Sequence, residues 1–85
     1  MIHFTKHALE KFAILEKYKV YVSKADIIEA VQNPDFIDDS RRPLRIAQRD
    51  FDNARVLRVV YKEELGVKVV ITFYPGRKNQ YEKRK

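Results

Sequence analysis

Cysteine is absent from the 85 residues, which removes disulfides, thiolate nucleophiles and cysteine-ligated zinc or iron–sulfur centres. Glycine is scarce, with two residues, and neither a P-loop nor a glycine-rich dinucleotide fingerprint occurs. Ser23 and Ser40 are the only serines, and Ser23 has the position of a helix cap, so no serine–histidine–acid set is suggested. Apolar runs such as Phe12–Leu15 and Val69–Ile71 reach at most four residues, far short of the roughly 20 of a membrane-spanning helix. No signal-peptide pattern follows Met1. A cytoplasmic protein without membrane contact is expected.

What is present fits one packed domain, with 45% hydrophobic and 35% charged residues. A chain of this size hides roughly 60% of its unfolded surface, enough for a single modest core. The charge is uneven. Residues 1–40 hold five Lys or Arg and seven Asp or Glu, whereas residues 41–85 hold thirteen and five, a local net of +8. Eight of those thirteen bases are arginine, whose planar fork of donors suits phosphate. A basic half of this kind is explained either by solubility and surface ion pairs or by a phosphate-bearing or acidic partner.

The spacing predicts a helix over 5–18, with Thr5 as cap and Ala8 or Leu9, Phe12 and Leu15 on one face. Ser23 and Asp26 form a shortened-acid capping box for a second helix, with Ile27, Ile28 and Val31 inward. That helix ends near Gln32, because Pro34 disfavours helical geometry at Asn33. Alternation then predicts strands: a short one over 36–39, one through Leu44–Arg49, the clearest over 55–62, and one over 67–74 ended by Pro75-Gly76. The expected fold is α+β: two N-terminal helices packed on a three- or four-stranded, mainly antiparallel sheet. One domain spans 1–85, with a basic tail over about 77–85. The helices are assigned to the face of Leu57, Val59, Val69, Ile71 and Phe73. The opposite face is expected to show Arg45, Arg49, Arg58, Lys62, Lys68, Thr72 and Tyr74 around Val56, Val60 and Val70, suited to a nucleic-acid platform or to the seat of a partner protein.

Metal chemistry has little support. His3 and His7 lack an acidic residue at a convincing spacing, and the carboxylates Asp35, Asp38, Asp39, Asp50 and Asp52 fall at turns and loops, where they are ordinary. No metal or cofactor is expected. Metal-free RNA cleavage needs less: a proton acceptor for the 2′-hydroxyl, a donor for the departing 5′-oxygen, and cations for the transition state. His7, Arg49, Arg58, Tyr74, Arg77 and Tyr81 supply those types. Each also has an ordinary structural explanation, such as Arg58 pairing with an acid or stacking on Tyr74.

Four stretches together carry a family likeness: Phe4-Thr5-Lys6-His7-Ala8-Leu9, Asn33-Pro34-Asp35, Leu57-Arg58-Val59-Val60-Tyr61 and Val69-Val70-Ile71-Thr72-Phe73-Tyr74-Pro75. In this order the chain resembles a family of small prokaryotic proteins of unknown function related to RelE- and BrnT-like toxins. The resemblance implies a compact α+β domain and a metal-independent mRNA endoribonuclease of a toxin–antitoxin pair, or a relative of one. It implies RNA, free or ribosome-bound, as substrate, and an acidic antitoxin as protein partner. The family's histidine falls on His7, and its C-terminal basic and tyrosine positions best match Arg77 and Tyr81. With Arg58 these form the catalytic set, and Arg45, Arg49, Lys62, Lys68 and Tyr74 the RNA-binding set. A non-catalytic nucleic-acid-binding module and an inactive interaction domain are the alternatives. Clustering of His7, Arg58, Arg77 and Tyr81 favours catalysis; His7 on the far side from the basic face favours binding.

Overall fold

The computed structural model describes residues 1–81. A short strand, β1 (Ile2–Phe4), precedes helices α1 (Lys6–Lys17) and α2 (Lys24–Gln32). Strands β2 (Phe36–Asp38), β3 (Arg45–Asp50), β4 (Arg55–Glu64) and β5 (Val67–Arg77) follow, and a single turn of helix, α3 (Lys78–Tyr81), ends the described chain. The sheet order is β1-β5-β4-β3-β2, with β1 parallel to β5 and every other pair antiparallel. The α+β architecture is as expected, with five strands rather than three or four. The extra strand, β1, is three residues long, too short to show a period.

Both long helices start as their caps predict. Thr5 accepts from the Ala8 amide and donates to the Ile71 carbonyl, which ties the start of α1 to β5. Ser23 and Asp26 make the reciprocal capping box of α2. Helix α1 stops in a Schellman motif: the Lys19 amide donates to the Glu16 carbonyl and the Val20 amide to the Leu15 carbonyl. Lys19 takes the left-handed position usually given to glycine, at φ 62°.

α1 lies over β5 and β1, and α2 over β3 and β4. Beneath them Ala8, Ile27, Ala30, Val31, Ala47, Leu57, Val59, Tyr61, Val70 and Phe73 form the buried cluster. The Phe12 ring lies 4.7 Å from that of Phe73 and 6.1 Å from that of Phe4. In two strands the placements differ from the alternation read in the sequence, and with the change in β5 Val69 falls on the open side opposite Lys62 rather than under the helices. Val60 pairs with Thr72 but Tyr61 with Val70, so Ile71 is an extra residue and β5 changes face there. Val70 therefore joins Phe73 under the helices instead of lining the open side. In β3 the inward residue is Ala47, opposite Val59, so Arg45 and Arg49 share the helix side and Ile46 and Gln48 point the other way. A small residue at 47 leaves room for α2, whereas Ile46 is buried by the other face.

Strand β5 also runs on through Pro75 and Gly76 to Arg77. β1 covers only Lys68–Val70, so at Pro75 that side of β5 has no strand beside it, and the missing N–H of proline breaks no ladder bond.

Candidate functional site

The face away from α1 and α2 carries a polar centre at Arg58. Alternation along β4 puts Val56, Arg58 and Val60 on this side, and the ladder sets Gln48 and Tyr74 on either side of Arg58. Arg58 is 6% exposed and Gln48 2%, the two buried polar residues among those described. Burying a guanidinium is unfavourable unless its donors are met, and here each nitrogen is engaged. Nε donates to the Tyr74 hydroxyl at 3.1 Å, Nη1 to Gln48 Oε1 at 2.5 Å and Nη2 to Asp38 Oδ2 at 3.2 Å. The Tyr81 ring covers the guanidinium face, its centroid 4.2 Å from the central carbon.

Chain elements at both ends hold this centre. Asp38, at the end of β2, accepts from both the amide and the hydroxyl of Ser40 through Oδ1. Those two bonds, more than the guanidinium of Arg58, hold its carboxyl below the usual value, against the opposing effect of burial. On the other side Gln48 Nε2 donates to the Tyr81 carbonyl at 3.3 Å, and the Lys78 amide to the Ala54 carbonyl. α3 is thereby folded back across the sheet end. Gly76 permits this, because a Cβ there would collide with the Tyr81 ring.

Beside the centre is a cleft of about 290 Å³ lined by Asp38, Ser40, Arg41, Leu44, Ile46, Arg58, Val60, Tyr74 and Tyr81. Leu44, Ile46 and Val60 form an apolar wall; the remaining side chains are polar or aromatic. Among the described residues no group of three or more His, Asp or Glu is placed to hold a metal ion.

Of the residues singled out from sequence, Arg58, Tyr74 and Tyr81 meet here. His7 does not: it is exposed on the first turn of α1, in the helix layer. Arg77 is exposed at the end of β5, opposite Arg55, in a depression shared with Ala54, Lys78 and Asn79. Arg45 is exposed on the helix side of β3. Arg49 turns to the C-terminal end of α2, where it donates to the Asn33 carbonyl and pairs with Glu29 at 3.3 Å and Asp35 at 3.9 Å, a favourable site for a cation. Lys62 keeps the open side but pairs with Glu64 at 3.0 Å, and Lys68 pairs with Glu63 at 3.7 Å on the helix side. The expected common basic face is therefore divided, because the β3 frame and the Ile71 bulge send its members to different sides. Lys83, Arg84 and Lys85 of the basic tail lie outside the described residues.

Sequence reasoning missed Asp38, Ser40, Arg41 and Gln48. Asp38 read as a turn former, Ser40 as a serine with no catalytic partners, and Gln48 as an ordinary strand residue. A buried arginine in β4 was the available signal, since it requires an acceptor on each neighbouring strand. No family model, curated protein or solved structure matches the chain.

Proposed function

We propose that this chain binds single-stranded RNA in the open-face cleft. The observation that carries the reading is a cleft on the sheet face that α1 and α2 leave uncovered, lined by Tyr74, Tyr81 and the arginines Arg41 and Arg58, within a chain of net charge +6. Aromatic rings beside cationic groups serve single-stranded nucleic acid, whose bases have stacking faces and whose backbone is anionic. The apolar wall of Leu44, Ile46 and Val60 gives a base a dry surface, and double-stranded RNA would not reach into a cleft this small. Fluorescence anisotropy with a labelled decauridylate tests it. Saturable binding that weakens as salt rises is expected, with Tyr74→Ala weakening it roughly tenfold, as for one lost stacking contact. Binding indifferent to Tyr74→Ala would overturn it.

One observation favours a second reading, metal-independent cleavage of that RNA. The Tyr74 hydroxyl accepts from Arg58 Nε, which leaves its own proton free to be donated. In cleavage, the 2′-oxygen attacks the neighbouring phosphorus, its proton passes to water, and the 5′-oxygen leaves with the proton of Tyr74. A 2′,3′-cyclic phosphate and a 5′-hydroxyl end result. Arg58 then acts through Tyr74, with Asp38 and Gln48 fixing its angle. Incubation with RNA in chelator, with and without ribosomes, should give those ends, with Tyr74→Phe slowing cleavage by about 100-fold or more. Retained cleavage in Tyr74→Phe would exclude this role, and binding without cleavage would leave the first reading alone. His7→Ala should change neither result, because His7 stands on α1 in the helix layer.

A further inference from the structure

Among the described residues three charged groups line the cleft: Asp38, Arg58 and Arg41. Asp38 and Arg58 neutralise one another through their ion pair at 3.2 Å. The pair is not loosely made. Asp38 is held from its other oxygen by Ser40, and Arg58 by Gln48 and Tyr74. A ligand phosphate that took Arg58 would have to break a satisfied, nearly buried network and leave Asp38 unpaired beside it, which is unfavourable. Arg41 differs. Its guanidinium has no hydrogen bond or ion pair among the described residues, and the residue is exposed at the cleft edge.

The backbone beneath Arg41 is nevertheless fixed. The Asx turn from Asp38 to Ser40 precedes it, and the Leu44 amide closes a turn onto its carbonyl at 2.9 Å. A guanidinium without a partner among the described residues, on an ordered turn next to an apolar wall and a tyrosine pair, is placed to bind an anion. Its neighbour Arg42 is already paired with Asp39 at 3.4 Å.

Resting on the RNA-binding reading above, we propose that Arg41 is the phosphate-binding residue of the cleft, and that its ligand is one internal nucleotide of a single strand. The base lies along Leu44, Ile46 and Val60, and its phosphodiester meets Arg41. The charge arithmetic selects that ligand: with Asp38 and Arg58 cancelled, the lining carries one net positive charge, which matches a singly charged diester better than a doubly charged terminal phosphate.

The test uses the full chain and labelled hexauridylate without a terminal phosphate. Arg41→Ala is expected to weaken binding roughly tenfold, as for one charge-assisted hydrogen-bonded contact, and to reduce the salt slope by about 0.7, the value for one phosphate on a single strand. Arg41→Lys should recover most of the slope and part of the affinity, and Arg42→Ala should alter neither. Uridine 5′-monophosphate and inorganic phosphate, at matched ionic strength, should compete poorly. Hexauridylate binding that depends on Tyr74 but survives Arg41→Ala with its slope unchanged would overturn the assignment of Arg41 and spare the RNA-binding reading. Strong competition by inorganic phosphate would overturn the diester assignment. No saturable binding, or binding indifferent to Tyr74→Ala, would overturn both proposals together.

Discussion

Strand β4 feeds two unlike interiors. Its odd-numbered residues Leu57, Val59 and Tyr61 pack under α1 and α2 with Phe73, Val70 and Ala47, a set selected by size and apolarity. Its even-numbered Arg58, one residue away from both Leu57 and Val59, sits among Gln48, Tyr74, Asp38 and Tyr81, a set selected by donor and acceptor geometry. Arg58 and Gln48 are as buried as the apolar residues across the sheet. The two regions differ in what they tolerate: the helix side is sensitive to lost volume, the open side to a lost partner or to charge. A domain this small has little apolar area to spare, and the polar centre takes up part of the uncovered face, where the RNA-binding proposal places the ligand.

The largest effect that tests this difference lies on the helix side. Phe73→Ala removes a fully buried ring in contact with Phe12 and should cost about 3–5 kcal/mol, read by urea unfolding. The refolded fraction should still bind RNA, because the cleft lies across the sheet.

On the open side, Asp38→Asn keeps shape but takes the charge from Arg58 and should cost about 1–3 kcal/mol. Its signature is in pH. The folded-state value of Asp38 is lowered from 3.8, so its contribution is complete above the unfolded value and disappears as pH falls through the folded one. The gap between wild type and Asp38→Asn in denaturant midpoint should therefore be constant at neutral pH and close below about pH 4. A gap independent of pH would mean that the pair is merely geometric.

The smallest effect has the opposite sign. The Thr72 hydroxyl is buried and makes no hydrogen bond among the described residues, so Thr72→Val should stabilise by about 1 kcal/mol. Destabilisation would show that the hydroxyl has a partner in solution.

Much of this molecule is legible in its sequence, and the illegible part has physical causes. Caps are local, so Thr5, Ser23 and Asp26 announce both helices without help. Arg58 stands out because it interrupts an apolar strand. What fails is whatever depends on pairing across strands. The Ile71 bulge leaves no mark in a Val-Val-Ile run, since any of these residues suits either face, and it alone moves Val70 under the helices. In β3, Leu44, Ile46 and Gln48 look like the inner face and Arg45 and Arg49 like the outer, but Ala47 under α2 decides the frame. The partners of Arg58 come from three other strands and a helical turn, at separations no short motif records. Arg41 carries no pattern at all; only the fold shows that it borders a cleft and that its guanidinium has no partner among the described residues.

Chemical-shift mapping of the isotope-labelled full chain, titrated with hexauridylate at low salt, tests the central claim most directly. Shifts are expected to concentrate at Arg41, Arg58, Tyr74 and Tyr81, with the signals of His7 and the rest of α1 undisturbed. Shifts confined to α1 and α2, with the side-chain signals of Arg58 and Tyr74 unmoved at saturation, would contradict it.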